Sequence, residues 1–411
     1  MDELALRGGP RAKPTASCLS NRYQDGNELV YLRQALDSGK LMGPTGMVRE
    51  FEEAVKVHFG FAHVVLVTSG TAALHTALSA LGVAEGDEVI TTPMTDIGTV
   101  AAILALHAVP VFADIDLDTR LISPDSVHER VTERTKVVVA VHMAGLPCDM
   151  QAFAAIARDT GVKILEDCAQ AHGGRYRGRY LGSLGDAAGF SMNESKQMTT
   201  GDGGFVVTDD DDTAAIANLF RDKTYIRDGS VGRGGQPIPF FALNYRGTGL
   251  HAAVGMAQLE KLDALVHRRD AIARRYYDEL SDLPDLSLPC LVEGAQPSWW
   301  PLVCRYAGTT TDRDTLAEAL CAEGLTISTG MSPANNILRT EMVQKRKYYP
   351  LTDAVPAFWR DVDYDPDSCP NVDALQATVL RLPVDERYSD EDVCQTIAGV
   401  RKVWFHLVSG G

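Results

Sequence analysis

Three short stretches hold the residue types that could do chemistry. In chain order they are Ser69, Gly70 and Thr71 in TSGTAALHTAL, Asp167 closing the run VKILED, and Lys196 in FSMNESKQMTTGDGG. A neutral lysine amine attacks an aldehyde to make a Schiff base and can then carry a proton from one carbon to another. That work needs a lowered pKa and a pliant turn, and the Thr- and Gly-dense sequence after Lys196 supplies the turn. Asp167 ends an apolar run of the kind buried in α/β sheets, whose strand C-termini meet ligands, and a carboxylate there needs a partner. Ser69, Gly70 and Thr71 stand between a strand-like run and a helix-like one. Free N–H groups and the positive end of a helix dipole would face an anion there, with Gly70 allowing close backbone approach.

Each stretch alone has an ordinary explanation: a solvated loop lysine, a turn aspartate, a helix cap. Their combination is far more specific. Pyridoxal 5′-phosphate (PLP) offers an aldehyde, a pyridine nitrogen stabilised in its protonated form by a carboxylate, and a phosphate. Lysine, aspartate and anion turn answer these in order. The expectation is a PLP-dependent protein with Lys196 as its Schiff-base lysine.

The elements that must hold these residues alternate in type. Helix-like NELVYLRQALDSGK and VREFEEAVKVHFG precede the apolar run HVVLVTSG, helix-like TAALHTALSALG and the run DEVITTP. The pattern continues through VPVFADID, a helix around Ser126 to Arg130, KVVVAVHMAG, helix-like MQAFAAIARDTG and VKILEDCAQA. Each strand is short and nearly continuous in apolarity, as strands buried on both faces are. From Gly185 to Thr208 two strand-like pieces flank a Gly-rich turn, which reads as a hairpin. A helix-rich stretch from Leu250 to Leu280 leads to a Pro-rich connection, after which WPLVCRYAG and RDTLAEALCAEG open a smaller α/β unit. The expected division is a flexible arm over 1–25, a large PLP-binding domain over 26–282 and a small C-terminal domain over 283–411.

The 411 residues are 45% hydrophobic and 23% charged, the composition of an ordinary packed protein. A net charge of −16 argues against phosphate-backbone binding, so no nucleic-acid partner is expected. No stretch reaches the roughly 18 apolar residues of a membrane span, and the N-terminus lacks the apolar core of a signal peptide. No membrane partner is expected, and a cytoplasmic location follows. Eight scattered cysteines, without a CxxC pair or metal-ligand spacing, read as buried reduced thiols, and no metal is expected.

The text from Ser69 to Gly204 resembles the DegT/DnrJ/StrS family of sugar and aminocyclitol aminotransferases. The segments that carry the likeness are SGTAALHTAL, GDEVITTP, PVFADID, VHMAGLPCDM, LEDCAQAHGG, GSLGDAAGFS, SKQMTTGDGG and, further on, NYRGTGLHAAVGMAQLEKL. It extends over most of the chain, with a poor match in the N-terminal arm and from Ser298 to Pro370. The resemblance implies the aspartate-aminotransferase-like fold (fold type I), an α/β large domain with a mostly parallel seven-stranded sheet between helices plus a smaller C-terminal α/β domain. It implies that Lys196 holds PLP, that Asp167 pairs with the pyridine nitrogen and that Gln170 lies by the ring's phenolic oxygen. Gly70, Thr71 and Ser191 would bind the phosphate, beside Ser69. Asn244 resembles the residue that family members send across a dimer interface to the neighbour's phosphate, which implies a homodimer with a composite site. The implied activity moves an amino group from an amino-acid donor, glutamate or glutamine, to a keto sugar, nucleotide-linked in the first instance, or to a keto cyclitol. The setting would be amino-sugar or secondary-metabolite biosynthesis. Relatives that dehydrate sugars carry histidine in place of the lysine, so Lys196 points to the aminotransferase branch.

The chain departs from the family pattern in two places. Asp96, in PMTDIGT, stands where an aromatic residue usually stacks on the pyridine ring. An aspartate cannot supply that dispersion contact, so another side chain covers the ring or Asp96 acts on substrate. Gly247 and Gly249, in NYRGTG, stand where the family has a larger apolar residue and an acidic one. Asp96, Asn193, Tyr245 and Arg246 are the candidate substrate contacts. Trp299, Trp300, Asn335, Asn336 and Arg339 of the divergent segment are candidates for the acceptor pocket, the two tryptophans being equally readable as core. Arg227, Arg233 and Arg246 could meet phosphate or carboxylate groups, or stay solvated. Two other readings stay open: a PLP-dependent lyase, dehydratase or other tailoring enzyme, motivated by Asp96 and the poorly matching region from Ser298 to Pro370, and a non-catalytic sensor or structural protein on the same fold.

Overall fold

The computed structural model of the protein describes residues 2–23, 25–43, 45–227, 229–331 and 336–410. Seven strands form the central sheet: β1 (His63–Val67), β2 (Glu88–Thr91), β3 (Val109–Phe112), β4 (Thr135–Val141), β5 (Lys163–Asp167), β6 (Ala187–Ser191) and β7 (Gly204–Thr208). Their spatial order is β1-β7-β6-β5-β4-β2-β3. Strand β7 alone runs antiparallel, against both β1 and β6, and the other pairings are parallel. This is the α/β fold with a mostly parallel sheet that the strand text led us to expect. Val137 to Val141, Ile164 to Asp167 and all of β6 and β7 are buried, which accounts for their unbroken apolar character.

The expected hairpin is β6 and β7, paired from Ala188 with Val207 to Ser191 with Gly204. Phe190 and Phe205 stack across it with ring centroids 4.6 Å apart. The connection between the two strands carries Lys196. Because β1, β2, β4, β5 and β6 all run the same way, their C-terminal ends line one edge of the sheet. Ser69, Asp96, His142, Asp167 and Ser191 all fall at or just past those ends. Crevices at such edges are where open α/β sheets hold ligands.

The long helix Gly249–Leu280 starts at a capping box in which Thr248 and His251 satisfy each other's backbone. Beyond it a second sheet, β8 (Leu286–Ser287), β9 (Pro301–Tyr306) and β10 (Val379–Pro383), is antiparallel in the order β8-β9-β10. The helix Asp390–Leu407 buries Trp404, which meets Tyr306 edge-on at 5.8 Å. Near the N-terminus Leu4 is buried, and the Glu323 carboxylate accepts the N–H groups of Ala5 and Ala12. Lys402 donates to Glu323 and to the Pro10 carbonyl, while buried Lys13 pairs with Asp392.

The cysteine expectation needs correction. Cys148, Cys168, Cys304 and Cys369 are buried, but Cys18, Cys290, Cys321 and Cys394 are exposed, the last two on helices. Scattered single cysteines carry no periodicity that would place them inside or outside. Among the described residues no helix is long and apolar enough to cross a membrane.

Candidate active site

A cavity of about 430 Å³ opens at the C-terminal edge of the sheet. Ser69, Gly70, Thr71, Asp96, Asp167, Gln170, Ser191, Asn193 and Lys196 all line it, so residues more than a hundred positions apart in sequence converge. Asp167, the last residue of β5, is buried. Its Oδ2 accepts the Thr99 hydroxyl at 2.8 Å and its Oδ1 accepts the Ala169 N–H at 3.1 Å. Burial raises its pKa, opposed by those two hydrogen bonds and by the charge of Lys196. A buried carboxylate with two fixed neutral donors and no cation in contact is a site for a positive ligand group.

Lys196 enters the cavity from the turn after β6. Burial lowers its pKa, and Asp167 and Asp96 act in the opposite direction. Its Nζ lies 4.2 Å from the centroid of the half-buried Trp300 ring, and among the described residues no carboxylate pairs with it within salt-bridge distance. A lysine held this way keeps part of its population neutral and nucleophilic.

The anion turn is built as its sequence suggests. Ser69 caps the helix Gly70–Ala80 by accepting the Ala72 N–H at 3.1 Å, so its hydroxyl is committed. The N–H groups of Gly70 and Thr71, in the first turn, have no intrahelical partner. A Cβ on Gly70 would stand 2.6 Å from Cβ of Ser191, which makes glycine a steric requirement where helix start meets strand end. Gln170 spends its Oε1 on the Ala144 N–H at 2.7 Å, leaving its amide N–H groups for a ligand. The Asn193 carbonyl oxygen, Oδ1, accepts both the N–H and the hydroxyl of Ser195, shaping the turn before Lys196.

A model of the DegT/DnrJ/EryC1/StrS aminotransferase family matches residues 22–401. The chain belongs to that family. Over 308 residues it is 34% identical to the GDP-perosamine synthase of Caulobacter vibrioides, covering 73% of this chain and 80% of the relative. DesI, solved in the presence of its TDP-sugar product, superposes with a TM-score of 0.78 at 30% identity, covering 97% of this chain and 95% of that one. NtdA from Bacillus subtilis, solved with bound cofactor PMP, gives a TM-score of 0.80 at 25% identity over 94% of this chain and 83% of that one. The protein is thus an aminotransferase, and aminotransferases of this family work with PLP.

The cavity suits that cofactor in its donor set: open N–H groups for a phosphate, a buried carboxylate for a pyridinium and a half-buried amine for an aldehyde. The family departures have local reasons. Asp96 is the N-cap of the helix Ile97–Leu104 and accepts the Gly98 N–H at 2.8 Å, so its carboxylate serves the backbone while bordering the cavity. A Cβ on Gly247 would lie 2.4 Å from Cγ of Leu66 in β1, and one on Gly249 would lie 3.3 Å from Cα of Leu41. A larger residue at Gly247 would force Leu66 to move, while at Gly249 the contact is tight.

Other candidates lie elsewhere. Asn244 is exposed and Tyr245 bonds His75 at 3.0 Å, and neither lines the cavity. Arg246 and Arg227 both pair with buried Asp222. Asn336 and Arg339 both bind Asp373. Trp299 is core, donating to Asp270, whereas Trp300 borders the cavity. Asn335 and the Arg233 side chain lie outside the described residues.

Sequence reasoning missed Thr99, which lies one turn into the helix after β2 and has no signature beyond following Asp96. It also missed Glu166, the buried neighbour of Asp167. Burial alone would raise the Glu166 pKa, but the hydrogen bond and charge of His142 and the N–H groups of Gly182 and Leu184 hold it below the ordinary value. Ligand atoms of His142, Glu166 and Cys168 lie within 4.8 Å of one another. His142 already accepts the Cys148 N–H on Nδ1 and meets Glu166 through Nε2 at 3.0 Å, so its lone pair is spent on the fold.

Proposed function

We propose that the protein transfers an amino group from an amino-acid donor, glutamate or glutamine, to a nucleotide-linked keto sugar or a keto cyclitol, with Lys196 and Asp167 as its catalytic pair. The observation that carries this reading is the buried Asp167 carboxylate sharing one cavity with the half-buried Lys196 amine and the open helix start at Gly70. The names of the two sugar-related relatives support the acceptor class.

When bound, PLP supplies an aldehyde for an amine and a ring that withdraws electrons from a substrate bond. Nζ of Lys196 would hold that aldehyde and, when the donor amine displaces it, would be the atom that takes the proton from the donor's α carbon and delivers it to the former aldehyde carbon, leaving the nitrogen behind for the acceptor. Asp167 holds a positive charge at the pyridine nitrogen, fixed in place by Thr99 and the Ala169 N–H. Gly70, Thr71 and Ser191 orient the phosphate, and Gln170 donates to the ring oxygen. Trp300 restricts water at the amine. Asn193 and Asp96 border the space left for substrate.

The dimer belongs to the same proposal. Exposed Asn244 reaches the phosphate of a second copy, bringing Tyr245 and Arg246 near that copy's substrate. Residues 26–282 form the cofactor domain and 283–411 the domain that closes the cavity through Trp300. Asp96 serves as a helix cap, which weakens one of the two features that favoured a lyase or dehydratase, and the converging lysine, carboxylate and anion turn oppose a sensor.

Glutamate or glutamine labelled with ¹⁵N at the α-amino group, each incubated with the holoenzyme and a panel of nucleotide-linked keto sugars and keto cyclitols, should in one case or both pass its label to an amino product. Consumption of an acceptor with no label in the product would contradict amino transfer.

A further inference from the structure

The Lys196 turn is held from outside the cavity by a buried set of charges that the reaction itself does not use. Arg22, before the first long helix, donates through Nη1 to the Lys196 carbonyl at 2.7 Å and pairs with Glu386 at 2.6 Å. Its own carbonyl accepts Lys261 Nζ at 2.7 Å. Glu386, just past β10, also pairs with Arg269 on the long helix at 2.7 Å. Arg269 is 3% exposed and donates to the carbonyls of Trp299 at 2.8 Å and Trp300 at 3.1 Å. The loop closes on itself, because Trp300 Nε1 donates to the Ser195 carbonyl at 2.7 Å while its ring lies 4.2 Å from the Lys196 amine.

Arg269 is buried and Arg22 and Glu386 are largely withdrawn from water, which is a poor route to stability when apolar residues could fill the space. What this arrangement adds is geometry. Two guanidiniums fan out from one carboxylate and end on the main chain of the two segments that meet at the amine. We propose that Arg22, Glu386 and Arg269 form a positioning device that fixes the Lys196 turn and the Trp300 indole against each other, with Glu386 as its hub. This rests on Lys196 being the cofactor lysine. The segment ahead of the first helix thereby takes part in the site, because Arg22 sets where the reactive amine stands.

The test uses full-length Arg22→Ala, Arg22→Lys and Glu386→Gln, with Glu323→Gln as control. Glu323 anchors Ala5 and Ala12 of the same N-terminal segment and lines no part of the cavity. The readouts are the rate at which cofactor-stripped protein acquires the visible PLP band after PLP is added, and the visible circular dichroism of that band. Arg22→Ala and Glu386→Gln should slow band formation by about tenfold and change the dichroism, since small misplacements of a reacting group cost rate steeply. Arg22→Lys, which keeps one donor, should recover part of the loss, and Glu323→Gln should lower thermal stability with both readouts unchanged. If Glu386→Gln does not fold, Arg22→Ala decides alone. Wild-type rate and dichroism in folded Arg22→Ala, or equal slowing in Glu323→Gln, would overturn the inference. A band that still forms in Lys196→Ala would instead overturn the lysine assignment on which it rests.

Discussion

The Thr99 hydroxyl donates to Oδ2 of Asp167 across 2.8 Å, linking the helix after β2 to the end of β5. The Ala169 N–H holds the other oxygen, so the carboxylate has one orientation, facing the cavity. Asp167→Asn keeps the shape and loses the charge. Turnover should fall by about 10²–10³, the scale seen when one preorganised electrostatic partner is removed. Thr99→Val should cost less, about 1.5–3 kcal/mol for a hydrogen bond to a charged group. Steady-state kinetics of the two variants check the order, and a larger loss from Thr99→Val would oppose the role given to Asp167.

Gly70 and Ser191 make the second prediction. In Gly70→Ala the new Cβ would meet Cβ of Ser191 at 2.6 Å, closer than real contacts allow. Overpacking of this kind costs about 1–3 kcal/mol, and here it falls on the N–H groups that face the phosphate. The Kd for PLP should rise roughly 5- to 150-fold by absorbance titration. Adding Ser191→Gly makes room again and should recover part of the affinity, provided the steric clash rather than a lost hydroxyl contact dominates. An unchanged Kd in Gly70→Ala would show that the phosphate sits elsewhere.

Trp300 sets the pH at which the amine becomes reactive. Burial lowers the Lys196 pKa, with Asp167 and Asp96 working against it. Trp300→Ala admits water, so the amine should return toward the ordinary lysine range. Cofactor capture, which requires the neutral amine, should then shift to higher pH. The lost cation–π contact acts the other way but is worth about 2 kcal/mol at a desolvated site, or roughly 1.5 pKa units, less than burial effects that reach several units. Capture rates measured from pH 6 to about 10 give the midpoint. A downward shift would mean the ring mainly stabilises the charged amine.

His75 links acid stability to the anion helix. Burial holds its pKa down to about 4, against 6.5 in an unfolded chain. Between these values the unfolded state binds a proton that the folded state refuses, so stability is full above pH 6.5 and falls as pH falls toward 4. At about 1.4 kcal/mol per pKa unit the full interval is worth roughly 3 kcal/mol. Buried His172, held to about 3, adds a term of the same sign. Urea unfolding at several pH values should show His75→Asn with a shallower decline than wild type, and parallel declines would remove His75 as a cause.

Much of this was legible in the sequence. The strands VVVAV and KILED read as buried on both faces, and the hairpin around Lys196 read from its glycines, because short apolar runs and turn residues are local signals. Asp167, Lys196 and Ser69 to Thr71 were legible as a set for the same reason: each sits at the end of a readable element. Thr99 was not, since what makes it matter is a contact across the fold, and Trp300, though a pocket candidate, gave no sign that its ring meets the Lys196 amine. Asp96 misled in the opposite sense. In the text it stood out as a departure, and only the Gly98 N–H shows that it caps a helix. Arg246 and Arg227 looked free for phosphate because nothing local marks Asp222 as their shared counterion.

The central claim is that Lys196, of all the lysines, carries the cofactor. Reduction of the PLP-loaded protein with borohydride fixes the linkage permanently, and peptide mass mapping then locates it. The account predicts a pyridoxyl phosphate adduct on the peptide containing Lys196 and its absence from Lys196→Ala. An adduct on a different lysine, or the same adduct yield in Lys196→Ala, would contradict it.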